Sequence, residues 1–309
     1  MIAARDAAET LGAAIAALAA QEDAPEFEVI VVDDGSTDAT RAVAEAGPLP
    51  VRLLTTAGGQ GPGAARNVGA AAARAALLVF TDADCEPEPD WLARIVQAAA
   101  EADLVQGKVL PPRDATIGPF DRVIAVVSEY GLYQTANLAI RRSFFNAAGG
   151  FQPVAKPRRG KELGEDAWLA WRARRLGART AFAADAVVRH AVFPRGPVGY
   201  VSEQARVVWF PELVRHMPEL RDTFLWRRWF LDYRTAAADL AFAGLAATVA
   251  TRRAAPLVAL LPYARKAWGD TGSWRGSYRA KVAAAHAAAD VVRLGALTYG
   301  SLRSRCLVL

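Results

Sequence analysis

Apolar positions recur at two different periods over the first 200 residues. Leu11, Ile15 and Leu18 follow Asp6-Ala7-Ala8-Glu9, which resembles a capping box, so a helix is expected over 7–20. Residues 27–32 form an apolar run with β-branched members, broken only by Glu28, and read as a strand covered on both faces. The turn Asp34-Gly35-Ser36-Thr37 ends it, and Ser36 or Thr37 is available to cap a helix over 38–46. A strand over 51–54, the glycine-rich loop Gly58-Gly59-Gln60-Gly61-Pro62-Gly63, an alanine-rich helix to 75 and a strand over 77–81 come next. Strands separated by helices build βαβ units, hence an α/β fold with a mostly parallel sheet whose ligand site lies at the carboxyl ends of the strands. Asp33-Asp34 and Asp82-Ala83-Asp84 both fall at such ends.

Beyond residue 200 the pattern changes to arginine- and tryptophan-containing amphipathic stretches and alanine-rich helices, punctuated by Pro211, Pro218, Pro256 and Pro262. The expected organisation is therefore a catalytic-type α/β domain over 1–200 and a helical C-terminal extension over 201–309. No run reaches the roughly 20 uncharged apolar residues that cross a bilayer. The nearest approach, 236–250, carries Asp239 and is followed by Arg252-Arg253.

Composition narrows the classes. A chain of 309 residues that is 53% hydrophobic and 22% charged holds a sizeable core and is not a disordered protein. The net charge of +5 permits an anionic partner such as a nucleotide sugar or a lipid phosphate, but no nucleic-acid module is recognisable, and none is expected to bind. Cys85 and Cys306 stand far apart, so neither a disulfide framework nor a zinc site is indicated, and a reducing cytoplasm fits. Arg5, Asp6 and Glu9 break any secretory pattern at the start.

Two carboxylates one residue apart at a strand end offer hard oxygen ligands suited to Mg²⁺ or Mn²⁺, although Asp-x-Asp is also common in solvated turns. Several segments fix its context. Val31-Val32-Asp33-Asp34-Gly35-Ser36-Thr37-Asp38, Gly63-Ala64-Ala65-Arg66-Asn67, Phe80-Thr81-Asp82-Ala83-Asp84, Asn137-Leu138-Ala139-Ile140-Arg141-Arg142, Gly149-Gly150-Phe151 and Gly164-Glu165-Asp166 occur in this order. In that order and spacing the sequence resembles the family 2 glycosyltransferases of the GT-A fold, over residues 2–195.

The resemblance implies an enzyme that moves a sugar from a nucleotide-diphosphate donor to an acceptor hydroxyl, inverting at the anomeric carbon and dependent on a divalent metal, Mn²⁺ or Mg²⁺. It gives Asp34 contact with the nucleobase, Asp33 support of that loop, Arg66 a place near the donor phosphates, Asp82 contact with ribose or metal, and Asp84 the metal. Asp166 becomes the general base, while Asn137 and Glu165 fall on the acceptor side. The residues also allow plainer roles: turn chemistry for Asp34, a solvated helix charge for Arg66, helix capping for Asp166. His190 reads equally as a third metal ligand or as a hydrogen-bonded buried histidine, and Cys85 as a small buried thiol. Trp168 departs from the family, where an acidic residue often stands, whereas Arg172 keeps the usual arginine.

Lys156-Pro157-Arg158-Arg159-Gly160-Lys161 is either solvated surface or a contact for an anionic acceptor. Relatives begin with a full apolar strand of which only Met1-Ile2 is evident, with Ala3-Ala4-Arg5-Asp6 resembling the loop after it, so a start site placed too late is expected. Trp226-Arg227-Arg228-Trp229, short apolar helices over 235–250 and 254–264, and a basic tail through Arg293, Arg303 and Arg305 to Leu307-Val308-Leu309 suit either a helical cap or peripheral attachment to the cytoplasmic face of a membrane. The acceptor would then be a glycan, a lipid-linked sugar or a small molecule of the cell envelope or secondary metabolism. Two other enzyme readings are weaker: the glycine-rich basic loop of nucleotidyltransferases is missing, and the GxGxxG spacing of dinucleotide enzymes is absent. A non-catalytic nucleotide-sugar binder or membrane scaffold with a vestigial site is the alternative from another class.

Overall fold

The computed structural model describes residues 1–155 and 163–309, so the basic segment 156–161 lies outside the described residues. They form two compact units, one of Met1–Thr116 with Val123–Val192, the other of Ile117–Arg122 with Phe193–Leu309.

The first unit is an α/β layer structure. Its elements are β1 (Ile2–Ala4), α1 (Leu11–Ala19), β2 (Val29–Asp33), α2 (Thr40–Glu45), β3 (Val51–Thr55), α3 (Pro62–Ala72), β4 (Leu77–Asp82), β5 (Cys85–Pro87), α4 (Trp91–Glu101), β6 (Leu104–Leu110), β7 (Asn137–Arg141), α5 (Arg142–Ala147), α6 (Glu165–Arg175) and β8 (Thr180–His190). The sheet runs β3-β2-β1-β4-β7-β6-β8-β5. β3, β2, β1 and β4 are parallel neighbours, β7 enters antiparallel between β4 and β6, and β5 closes the edge antiparallel to β8. β2 is buried along its whole length, with Val31 in one core cluster and Ile30 and Val32 in the other, as its unbroken apolar pattern requires.

Local details differ from the sequence reading where tertiary partners intervene. Ala3 and Ala4 belong to β1 rather than to a loop, because β2 and β4 pair with that strand from both sides. α1 starts at Leu11, and no capping box forms at Asp6. Asp6 is left-handed at φ 48° and its carboxylate accepts from Thr37 N at 2.8 Å, while Ala7 N and Ala8 N donate to Thr40 and Asp38. The first loop thus ties itself to the turn after β2. α2 is capped neither by Ser36 nor by Thr37; Asp38 Oδ1 takes Thr40 N at 3.0 Å. The stripe expected on α6 holds at Leu169 and Ala173, but Leu176 is the exposed residue after the helix, and Trp171 is buried instead.

Asn137, expected on the acceptor side, has its amide turned into the sheet. It is fully buried at the start of β7, where Oδ1 accepts from Trp91 Nε1 at 2.9 Å and Nδ2 donates to Lys108 O and Ala186 O at 2.9 and 2.8 Å. One amide therefore joins α4, β6, β7 and β8, with all of these partners in the protein. Gly107 lies so close that a Cβ there would stand 2.2 Å from Asn137 Nδ2.

The second unit is helical: α7 (Pro197–Glu203), α8 (Phe210–His216), α9 (Leu220–Thr223), α10 (Tyr233–Thr251), α11 (Leu261–Asp270) and α12 (Gly276–Ser304), with 3₁₀ turns at Gln204–Trp209 and Ala255–Leu260. Arg234 of α10 bonds Asp290 of α12 and Asp270 of α11, each at 2.6 Å, and Tyr263 donates to Asp290 at 2.7 Å. Such a buried pair is strongly destabilising to break from one side.

Asn137→Ala should leave Trp91 Nε1 and two carbonyls without partners, at roughly 1–3 kcal/mol for each buried group. Urea denaturation is expected to show a loss on the order of 3 kcal/mol, with the slope of the transition unchanged.

Candidate active site

Register in the sheet assembles the site. β1 pairs Ala4 with Asp33 and Ala3 with Asp82, so the last residues of β2 and β4 lie on either side of one strand. After Asp82 the chain turns through Ala83 and Asp84 into β5, which pairs Cys85 with His190 at the end of β8. Ala191 N donates to Asp84 O at 2.9 Å, which closes this corner.

That pairing places Asp82, Asp84, Cys85 and His190 with one ligand atom each within 4.8 Å of one another. His190 Nδ1 lies 2.8 Å from Ala191 O, and because a carbonyl only accepts, Nδ1 carries the proton of that bond. In the neutral imidazole Nε2 is then an acceptor, and it stands 3.5 Å from Asp84 Oδ1. An acceptor facing a carboxylate suits a cation between them or a proton on Nε2. Carboxylates and imidazole fit Mn²⁺ or Mg²⁺. Cys85 is less suited, since burial, with Asp82 and Asp84 beside it, pushes its thiol well above the usual value and keeps it protonated.

Arg66 occupies the other side of Asp82. α3 buries its guanidinium, which donates to Asp82 Oδ1 at 2.7 Å and lies 3.7 Å from Glu165 Oε1 at the start of α6. The ring of Phe151 lies 5.7 Å from it. Burial disfavours the charged guanidinium, but Asp82 and Glu165 outweigh it and raise its pKa. Arg66 therefore stands buried among carboxylates, which sets aside the plainer role of a solvated helix charge.

Asp166, next along α6, is half-buried. Burial, then the charge of Glu165, pushes its carboxyl up to about 7, against a hydrogen bond from Ala167 N and the charge of Arg66. Tyr130 is raised to about 12 by burial and by Asp166. The sequence reading passed over Tyr130, which lies in a stretch without periodicity.

Asp33 and Asp34 serve the neighbouring loops. Asp33 is fully buried; burial raises its pKa, but bonds from Ser36 N at 3.0 Å and Arg41 Nε at 2.6 Å more than reverse that. Asp34 accepts from Thr56 Oγ1, Gln60 N and Gly61 N at 2.5, 3.0 and 2.8 Å, which fastens the β2 turn to the glycine loop. Gly35, at φ 79°, permits this approach, since a Cβ there would lie 2.7 Å from Gly58 Cα. Arg41 and Thr56 carry no signal in the sequence, because their roles exist only once the two loops meet.

Residues 1–153 match the family model described as Glycosyl transferase family 2. Those residues, just under half of the chain, resemble a family 2 glycosyltransferase domain. Among curated relatives, the transferase domain is similar to the succinoglycan biosynthesis protein ExoO of Rhizobium meliloti, 43% identical over 103 residues, which are 33% of this chain and 29% of ExoO. Glycosyltransferase AglE of Haloferax volcanii is 29% identical over 224 residues, 66% of this chain and 70% of AglE. The chain thus spans less than a third of ExoO and about seven-tenths of AglE. Two solved structures share the fold: S. aureus TarS 1–349 in complex with UDP-GlcNAc, at TM-score 0.52 and 16% identity, covering 99% of this chain and 91% of TarS 1–349; and mannosyltransferase PcManGT from Pyrobaculum calidifontis in complex with GDP-Man and Mn²⁺, at 0.55 and 22%, covering 98% and 85%. The α/β unit of the transferase thus has the GT-A architecture.

A raised carboxyl binds its proton more tightly in the folded chain, so its contribution to stability is whole below the unfolded value near 4 and is lost as pH rises to about 7. Asp166→Asn removes that loss. The variant should melt above the parent at pH 8, and the difference should shrink toward zero as melting is repeated down to pH 4.

Proposed function

We propose that the protein transfers a sugar from a nucleoside-diphosphate donor to an acceptor hydroxyl, with inversion. The observation that carries this reading is the juxtaposition, at the carboxyl ends of the strands, of the Asp82, Asp84 and His190 cluster with the raised carboxyl of Asp166, joined through Arg66.

Asp34 and the glycine loop it fastens receive the base, with Asp33 holding the turn. Asp82 serves ribose or metal, and Asp84 and His190 are the remaining ligands of a divalent cation. When bound, Mn²⁺ or Mg²⁺ would neutralise charge on the departing diphosphate. Asp166 takes the proton of the acceptor hydroxyl as its oxygen attacks the anomeric carbon; the glycosidic bond forms, the bond to the diphosphate breaks, and the electron pair leaves with the diphosphate. A base with a pKa of about 7 is matched to that task near neutral pH. Glu165 keeps Asp166 high and pairs with Arg66, so it acts beside the acceptor without touching the reacting atoms. The acceptor is a hydroxyl on a glycan, a lipid-linked sugar or a small molecule. Work from the cytoplasmic side of a membrane accords with the free Cys85 and Cys306.

Two substitutions separate the roles. Asp84→Asn should abolish transfer and weaken Mn²⁺-dependent binding of UDP- or GDP-sugars by titration calorimetry. Asp166→Asn should leave donor affinity within about twofold while turnover falls by roughly two to four powers of ten, the worth of a positioned base. In the parent, turnover should rise with pH through about 7. Unchanged turnover in Asp166→Asn, or near-normal activity in Asp84→Asn, would overturn the assignment.

A further inference from the structure

The expected peripheral contact took in Trp226-Arg227-Arg228-Trp229, the short apolar helices over 235–250 and 254–264, and the basic tail, and of these the last residues of the chain are engaged within their own unit. The tail is strapped down within its own unit: Leu309 N donates to Trp229 O at 2.7 Å, Leu231 N to Leu309 O at 2.9 Å, and Arg221 to Leu307 O at 3.0 Å, while Val308 is fully buried. Arg303 lies 4.5 Å from the Trp209 ring centroid and Arg221 4.8 Å from that of Trp229. These contacts lie within the helical unit, while Trp226, Trp229 and Leu307 stay partly exposed.

The two short apolar helices of that expectation are the more open part of the unit. α10 buries Ala237, Ala238, Ala241 and Gly244, and after Gly244 no residue up to Asp270 is buried. The chain reverses at Arg252, left-handed at φ 51°, and returns through the 3₁₀ turn at Ala255–Leu260 into α11. Gly244 lets the two arms touch, because a Cβ there would meet Ala259 Cβ and Pro256 O at 2.7 Å. Around this hairpin end Val249, Val258, Leu261 and Trp268 are 79%, 65%, 64% and 70% exposed. No acidic residue occurs anywhere in 240–269, whereas Arg252, Arg253 and Arg265 do, and Lys266 there pairs with Asp270.

We propose that the α10–α11 hairpin is the surface by which the protein docks in the plane of an anionic lipid bilayer. Exposed aliphatic side chains enter the boundary between headgroups and acyl chains, while arginines meet lipid phosphates and Trp268 suits the interface. No described helix is long and apolar enough to cross a membrane, so the contact is monotopic. Charge also decides against a second copy of the chain: in a two-fold pairing the same cationic, acid-free face would meet itself. The inference stands apart from the transferase reading, since its readout is binding.

Full-length protein is sedimented with phosphatidylcholine vesicles, with or without phosphatidylglycerol, at low and high salt. The parent should pellet with the anionic vesicles at low salt, and Trp268 emission should shift to the blue, a shift absent in Trp268→Phe. Val258→Asp with Leu261→Asp, and separately Arg252→Glu with Arg253→Glu, should each lower the bound fraction on the order of tenfold, the worth of about two lipid-facing charges or buried aliphatics. Melting temperature and gel-filtration size report that these variants fold as the parent does. Parent-like pelleting of both variants would overturn the proposal. So would an equal loss on Arg227→Glu with Arg228→Glu, or a parent dimer that Val258→Asp with Leu261→Asp dissolves.

Discussion

Asp82, Asp84, Glu165 and Asp166 converge at one end of the transferase sheet, and gathering that much like charge is the constraint on which the site depends. Two unit charges 4 Å apart interact by roughly 4 kcal/mol near a protein surface, so carboxylates do not assemble without compensation. Arg66 supplies part of it, buried between Asp82 and Glu165 and tied to the sheet through α3. Two features stand beside this pairing. One is the raised carboxyl of Asp166; the other is the corner where His190 faces Asp84. The first is a proton-accepting group poised near neutral pH, and the second is a place suited to a cation.

The supports around this end are polar groups turned inward. Asn137 joins three strands and the Trp91 indole, and Gln106 donates to Asn137 O at 2.8 Å. Asn67 exchanges hydrogen bonds with the backbone of Phe151 at 2.9 and 2.8 Å, which fixes the ring beside Arg66 and within the cluster of Phe80 and Phe145. Arg172 reaches Gly150 O at 2.5 Å and bonds Ala148 O, so the arginine kept from the family pattern holds the loop before α6. Each of these groups bonds within the α/β unit and constrains the angle at which a site residue is presented.

The helical unit answers a different requirement. Its ionic knot of Arg234, Asp270 and Asp290 and its strapped tail hold α10, α11 and α12 together, while the hairpin keeps apolar surface in water. Exposed aliphatic surface carries a free-energy cost of about 25 cal/mol per Å² unless something covers it, and the acid-free charge pattern around it selects an anionic cover.

The sequence by itself determined the strand–helix alternation, the burial of β2 on both faces and the placing of Asp33-Asp34 and Asp82-Ala83-Asp84 at strand ends, because periodicity and turn chemistry are local properties. Motif order was likewise legible, and with it the family, whose model covers 1–153. Tertiary structure decided the rest. Asp6 left its expected cap to bind Thr37, because the turn after β2 offered its backbone donors at shorter range than α1 could. Asn137 went to the interior and Arg66 to the carboxylates, since side-chain partners drawn from β8 and α6 are remote in sequence and no spacing rule reaches them. His190 reached Asp84 only through the antiparallel register of β5 on β8, a single pairing that a shift of one residue would undo by turning every side chain of the strand to the opposite face.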